Sequence, residues 1–205
     1  MAITYPRALP SHTGIRSVEL RAVSATSLTQ SPFTFQSTAY EYAGQMWQAD
    51  IELPPMKRAD AEVWIAWLIS LRGRAKDFLL GDPSGATPRG QAATFPGTPI
   101  ITDQTGGTIT VTGASASKTG WLLPGDYIQL GSASTATLHK VLDTADTDAS
   151  GETTLEIWPY VRGTRSGSVT VSNAVGRFRL ASNEQAWSIN EATIYGVTFG
   201  AMEAI

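Results

Sequence analysis

The chain lacks cysteine, and only 16 % of its 205 residues are charged, against roughly 25 % in an average soluble domain. The absence of cysteine excludes disulfide bonds, thiolate metal ligands and cysteine nucleophiles. The net charge of −3 provides no basic footprint of the kind that binds nucleic acid. We therefore expect no specific nucleic-acid binding, and a weakly charged surface that is partly covered by a protein partner.

Long apolar runs are also missing. No segment approaches the roughly 20 consecutive apolar residues that a membrane-spanning helix needs. The opening residues, MAITYPRALP, contain no apolar stretch typical of a secretory signal. We expect a protein without a membrane segment that folds in a cytoplasm.

Residues for catalysis or metal binding are scarce. The two histidines, His12 and His139, are too few for a multi-histidine metal site, and we interpret each as a structural or surface residue. In the segment DTADTDASGE, Asp146 and Asp148 begin a pattern similar to a calcium loop, but Ile157 stands where a bidentate glutamate is required. A solvated hairpin loop is the favoured interpretation. We predict no catalytic residue, no cofactor and no metal, and hence not an enzyme.

Alternating apolar and polar residues dominate both ends of the chain. Trp47, Ala49 and Ile51 are separated by polar residues, and Tyr40 and Tyr42 flank a glutamate. A period of two predicts antiparallel strands with one buried face.

One segment has the helical period instead. It predicts a helix at about 57–72, with Gly73 at its end. Four apolar residues share one helix face: Trp64, Trp67, Leu68 and Leu71.

A change of composition follows Gly81. The segment 85–181 is rich in Thr, Ser, Gly and Ala, and carries short strand patterns separated by turns. We predict a mainly β protein with two parts. Residues 1–84 and 182–205 form an antiparallel β-sandwich with one α-helix, and residues 85–181 form an inserted small β-barrel, OB-like or galectin-like.

Four residues of the inserted segment are candidate ligand or interface contacts. Trp121 and Trp158 lie next to glycine or proline, where an exposed indole could stack on a sugar ring, although packing in a core or between subunits is favoured. Arg162 and Arg165, in YVRGTRSG, form a small basic loop suited to an acidic partner subunit. The alternative is a solvated hairpin tip.

Several segments resemble distal tail proteins of long-tailed, siphovirus-type bacteriophages. The most specific is LPPMKRADAEVWIAWLISLRGRAKDFLLGDP, which is similar to the helix and following strand of that family. GDYIQLG, HKVL, LEIWPYVR and FRLASNEQAWSI follow in the family's order, so the resemblance covers nearly the whole chain. Lys57 departs from it, because a capping serine or threonine is expected there.

The resemblance implies a structural virion protein without catalytic residues. It implies a ring, expected to be hexameric, at the distal end of the phage tail that joins the tail tube protein to the tail tip or baseplate hub protein. Such a protein is assembled in the bacterial host cytoplasm and resides in the virion. The alternative is a carbohydrate- or receptor-binding module of the tail tip.

Overall fold

The computed structural model describes residues 3–11 and 14–205. In chain order these residues form β1 (Ser17–Gln30), β2 (Ser37–Glu52), β3 (Met56–Lys57), α1 (Arg58–Ser70), β4 (Asp77–Leu80), β5 (Ile100–Val111), β6 (Tyr127–Leu130), β7 (Thr137–Val141), β8 (Thr153–Thr170), β9 (Gly176–Leu180), β10 (Trp187–Ile189) and β11 (Ile194–Glu203). The strands build two antiparallel sheets. The predicted fold class, mainly β with one α-helix, is confirmed.

The first sheet has the strand order β1-β2-β11-β9-β4, and β3 and β10 pair with the beginning of β11. The alternation in the second half of β2 gives this sheet its buried face, since Trp47, Ala49 and Ile51 are all at most 4 % exposed. The polar residues between them point away from the core, and Asp50 is exposed. This part of the period-two prediction is therefore confirmed.

Helix α1 lies within the predicted range and buries the predicted face. Trp64, Trp67, Leu68 and Leu71 are each at most 2 % exposed. Lys57 is the N-cap residue and makes no side-chain capping hydrogen bond. At the other end Arg72 and Gly73 both have positive φ angles, so the chain turns away from the helix there.

Aromatic rings join α1 to the first sheet. The ring of Trp67 lies 5.0 Å from that of Phe78 on β4 and 6.0 Å from that of Phe199 on β11, measured between centroids. Phe78 in turn lies 6.4 Å from Phe178 on β9. Offset and edge-on aromatic pairs at these separations stabilise a core beyond the area they bury, so the helix and three strands share one core.

The second sheet is organised by β8. Strand β5 pairs along nearly the whole of β8, from Thr153 to Ser168. On its other side β8 pairs with β7 near its beginning and with β6 at its end, where Leu130 lies opposite Val169. Because β6 also pairs with β7, strands β6, β7 and β8 close on themselves, as in a small barrel. Whether this unit is OB-like or galectin-like stays a prediction.

The predicted end of the inserted segment, residue 181, is wrong. Strand β9 pairs with β4, as Phe178 opposite Phe78, and with β11, as Leu180 opposite Ala201. It therefore belongs to the first sheet, and the chain has returned to that sheet by Gly176. The sequence FRL fits a buried strand in either unit, and only the pairing decides between them.

The two units share part of their core. Tyr127 on β6 and Leu138 on β7 belong to the first hydrophobic core, and the indole N–H of Trp47 donates to the carbonyl of Leu138 at 3.0 Å. The two chain segments that connect the units, one after β4 and one before β9, also approach each other closely at Gly81. A Cβ on Gly81 would lie 2.2 Å from the carbonyl oxygen of Ala174, so only glycine fits there.

We predict that Phe78→Ala lowers the free energy of unfolding by about 3 to 5 kcal/mol, because Phe78 is completely buried among aromatic rings. Phe95→Ala is the matched control, since Phe95 is 46 % exposed and should cost about 1 kcal/mol or less. Urea unfolding at neutral pH measures both values. Equal losses in the two variants would contradict the assigned core.

Candidate interaction surface

The hairpin of β1 and β2 extends far beyond the first sheet. Strand β11 pairs with β2 only from Gln48 to Glu52. From residue 21 to residue 44 the two strands pair only with each other, and every residue except Ser31 is exposed. We call residues 21–44 the arm. It is a two-stranded ribbon without a core of its own.

The period-two prediction of a buried face is wrong for the arm. Tyr40 is 55 % exposed and Tyr42 is 57 % exposed, although they alternate with polar neighbours as predicted. Alternation fixes which residues share a face of a strand, but it does not show that anything covers that face. Here β1 and β2 continue beyond the end of β11, the strand that pairs with β2.

The tip of the arm is the most exposed apolar part of the described chain. Phe33 is 90 % exposed, Phe35 is 74 % exposed and Leu28 is 69 % exposed. Glu41 is the only charged residue between positions 22 and 45. Apolar side chains grouped on a projection with few charges are typical of a protein contact.

Strand β8 holds the root of the arm. Trp158, Tyr160 and Arg162 occupy alternate positions of β8 and so project from one face. The Trp158 indole donates to the Ser24 hydroxyl at 3.3 Å, and the Tyr160 hydroxyl donates to the Glu41 carboxylate at 3.1 Å. A register shift lies between Ser24 and Thr26 at the same place. The arm therefore leaves the body in a direction set by the second unit.

A buried ion pair completes this junction. The Glu203 side chain is 3 % exposed, and its carboxylate accepts two hydrogen bonds from Arg162, at 2.8 and 3.1 Å. The same carboxylate accepts from the backbone N–H of Trp47 at 3.1 Å. Arg162 also donates to the carbonyl oxygen of Gln45. One carboxylate therefore links β2, β8 and β11 beside the root of the arm.

The two predicted tryptophan contacts do not present open rings. Trp121 is completely buried in the second core, where its indole N–H donates to the carbonyl of Phe95 at 3.0 Å. Trp158 is partly buried and meets Trp47 edge-on at 4.5 Å between centroids. The packing interpretation fits both residues. The carbohydrate-binding alternative thus has no fully open indole ring at either predicted position.

The interpretation of Arg162 and Arg165 as a hairpin tip is wrong, because both lie inside β8. The irregular pairing of β8 with β5 in this region allows the two side chains to reach the same side of the strand. The segment YVRGTRSG predicts a turn because it contains Gly163. In the structure Gly163 has a positive φ angle but remains within the strand.

His139 is a buried structural residue, whereas His12 lies outside the described residues. The His139 ring nitrogens lie 2.6 Å from the carbonyl oxygen of Pro159 and 2.9 Å from the hydroxyl of Thr137. Because a carbonyl only accepts, Nδ1 carries the proton and Nε2 accepts from Thr137. Burial lowers the pKa of His139 to about 4, and the bond to Pro159 opposes this only in part.

The acidic segment that resembles a calcium loop is a turn stabilised by its own carboxylate. Oδ1 of Asp148 accepts the backbone N–H groups of Ser150 and Glu152, both at 2.8 Å. These bonds, led by that of Glu152, lower the pKa of Asp148. Among the described residues, no group of three or more His, Asp or Glu side chains is arranged to hold a metal ion.

Comparison with known proteins gives no family assignment: no protein-family model and no curated protein matches the chain. Within residues 3–11 and 14–205, no helix has the length and apolar character needed to cross a membrane.

Sequence reasoning missed the arm and the buried ion pair. A signal for the arm was present, since β1 and β2 have 14 and 16 residues while strands usually have five or six. Glu203 and Arg162 gave no comparable signal, because 41 positions separate them.

We predict that Arg162→Met destabilises the fold by about 3 kcal/mol, because it leaves the Glu203 carboxylate buried without its cation. Adding Glu203→Gln removes the stranded charge and should recover part of the loss. Arg16→Met is the control, since the pair of Arg16 with Glu52 is exposed on both sides and is worth about 1 kcal/mol or less. Urea unfolding of the wild type, the two arginine variants and the double variant tests this, and a double variant no more stable than Arg162→Met would contradict it.

We predict an acid-sensitive step due to His139. Its pKa is about 4 in the fold and 6.5 in the unfolded chain, so stability is complete above pH 6.5 and falls as the pH drops toward 4. Between pH 7 and 5 the loss should be about 2 kcal/mol. His139→Asn keeps a donor for Pro159 without a titrating ring, so its stability should depend less on pH. Parallel pH profiles of the two proteins, measured by urea unfolding, would refute this.

Proposed function

We propose that this chain is a structural subunit of a ring at the distal end of a phage tail, joining the tail tube to the tip or baseplate hub. The observation that carries the proposal is the arm. It projects from the body with both faces exposed, and its tip displays Phe33 and Phe35.

The arm has the properties of a docking element. A two-stranded ribbon alone is marginally stable in water and gains stability by packing on another surface. Its root is held by β8 through Trp158, Tyr160 and Arg162, so its direction is set before any partner arrives. A pre-organised projection loses less conformational entropy when it binds.

The two edges of the first sheet support an asymmetric contact. At the β4 edge the backbone of Arg7 makes hydrogen bonds to Asp77 and Leu79, at 3.1 and 2.9 Å. The outer edge of β1 pairs with no other strand in the part of the chain that the structure describes. An open edge invites pairing with another chain. Contacts between unlike surfaces of identical subunits close into rings when the rotation permits.

The place in a phage tail is supported by the resemblance of the segment 53–83 to distal tail proteins. The helix and strand that this segment forms, α1 and β4, are both part of the first core. The proposal assigns the chain a scaffolding role and no catalytic step. Its expected neighbours are further copies of itself, the tail tube protein and the hub protein.

Assembly should depend on the tip of the arm. We predict that the wild-type chain forms a closed ring, expected to contain six copies, and that the double variant Phe33→Ser and Phe35→Ser is monomeric with an unchanged melting temperature. Native mass spectrometry together with negative-stain imaging measures both. The control is the double variant Ile69→Ser and Leu142→Ser, which removes two exposed apolar residues outside the arm and should assemble normally.

Two results would contradict the proposal. One is a wild-type chain that stays monomeric over the whole accessible concentration range. The other is a ring that forms equally well without the two phenylalanines.

A further inference from the structure

Three arginines converge on one cavity of about 450 Å³ beside the end of β11. We call this cavity the arginine cleft. Its polar lining includes Arg162, Arg165, Arg177, Ser134, Thr135 and Thr137. The arginines come from β8 and β9, so the cleft lies between the two units of the fold.

The charges in the cleft do not balance. Arg162 pairs with Glu203 at 2.8 Å, and Arg177 pairs with Asp77 at 3.3 Å. Arg165 has no carboxylate within ion-pair distance among the residues that the structure describes. Counting side chains alone, three guanidinium groups and two carboxylates leave one positive charge, that of Arg165, without a paired carboxylate.

Arg165 carries that charge at an accessible position. One of its N–H groups donates to the carbonyl oxygen of Thr135 at 2.9 Å, and a guanidinium has five N–H groups to donate. Arg165 lines the arginine cleft and also a smaller cavity of about 240 Å³. Burial lowers the pKa of Arg165, the charges of Arg162 and Arg177 add to this effect, and the carboxylate of Glu203 opposes it.

We propose that the arginine cleft binds one carboxylate, an Asp or Glu side chain presented by an acidic segment of a partner protein. Arg165 grips this carboxylate through two parallel N–H donors, the geometry that suits a guanidinium best. The bound carboxylate neutralises the one uncompensated charge. The hydroxyl-bearing wall of the cleft supplies further hydrogen-bonding groups.

Charge counting favours a carboxylate over a phosphate. A phosphate group brings between one and two negative charges, which exceeds the single positive charge available. A nucleic-acid backbone requires several basic contacts in a row, and a chain of net charge −3 provides no such surface. The proposal is independent of ring assembly, because a chain that never assembles still contains the cleft.

The test is fluorescence anisotropy of a labelled hexaglutamate peptide titrated with the full chain at low salt. Hexaglutamine with the same label is the matched uncharged peptide. Arg165→Gln should weaken hexaglutamate binding about tenfold, as expected for the loss of a charged hydrogen bond. Arg58→Gln removes the same charge from the exposed face of α1 and should leave binding unchanged.

A second variant distinguishes the loss of the binding group from a loss of folding. Arg165→Lys keeps the charge and loses the planar fork, so binding should weaken by less than in Arg165→Gln. Thermal melts show whether each variant is folded.

Three results would overturn the proposal. The first is equal binding by wild type, Arg165→Gln and Arg165→Lys. The second is equal binding of hexaglutamine. The third is displacement of the peptide by inorganic phosphate at lower concentration than by N-acetylglutamate, which would assign the cleft to phosphate instead.

Discussion

The carboxylate of Glu203 is the group on which the arrangement of this molecule depends. It is buried, and it receives hydrogen bonds from the guanidinium of Arg162 and the backbone of Trp47. A charge removed from water is stable only where its partners are in place. These contacts therefore hold β8 against β2 in one position, and with it the second unit against the first.

The contacts of the arm follow from that position. Once Arg162 is fixed, the alternate residues Tyr160 and Trp158 fall beside Glu41 and Ser24. The direction of the arm is thus determined by β8, a strand of the second unit. The shared core around Trp47 has the same effect, because Tyr127 and Leu138 of the second unit pack into it. The second unit is part of the scaffold of the first.

Sequence patterns predicted what depends on local periodicity. Helix α1 and its buried face followed from a 3.6-residue period, and the second half of β2 followed from a period of two. The assignment of β9 failed because a three-residue alternation of apolar and polar residues, Phe178-Arg179-Leu180, fits either sheet. The exposure of the arm could not be read from alternation, since burial depends on how far a neighbouring strand continues.

The interaction residues were predicted unevenly for the same reason. Arg162 and Arg165 stood out as a charged pair, but their partners, Glu203 and the carbonyl of Thr135, are distant in sequence and meet them only in the folded chain. Trp121 was singled out for its glycine neighbour, but Gly120 forms a turn with a positive φ angle, and the tryptophan after it is buried in the second core. Pairing between distant segments is the information that a single sequence does not display.

Because of the arm, selection for stable folding and selection for partner recognition act on different residues of this sequence. Its residues contribute little to the buried core, so substitutions there leave the folded body almost unchanged while altering what the chain recognises. Partner preference can therefore drift in residues 21–44 without a loss of folding, and the two properties can evolve at different rates. A screen that scores variants by thermal stability alone is insensitive to this region, and binding has to be selected directly.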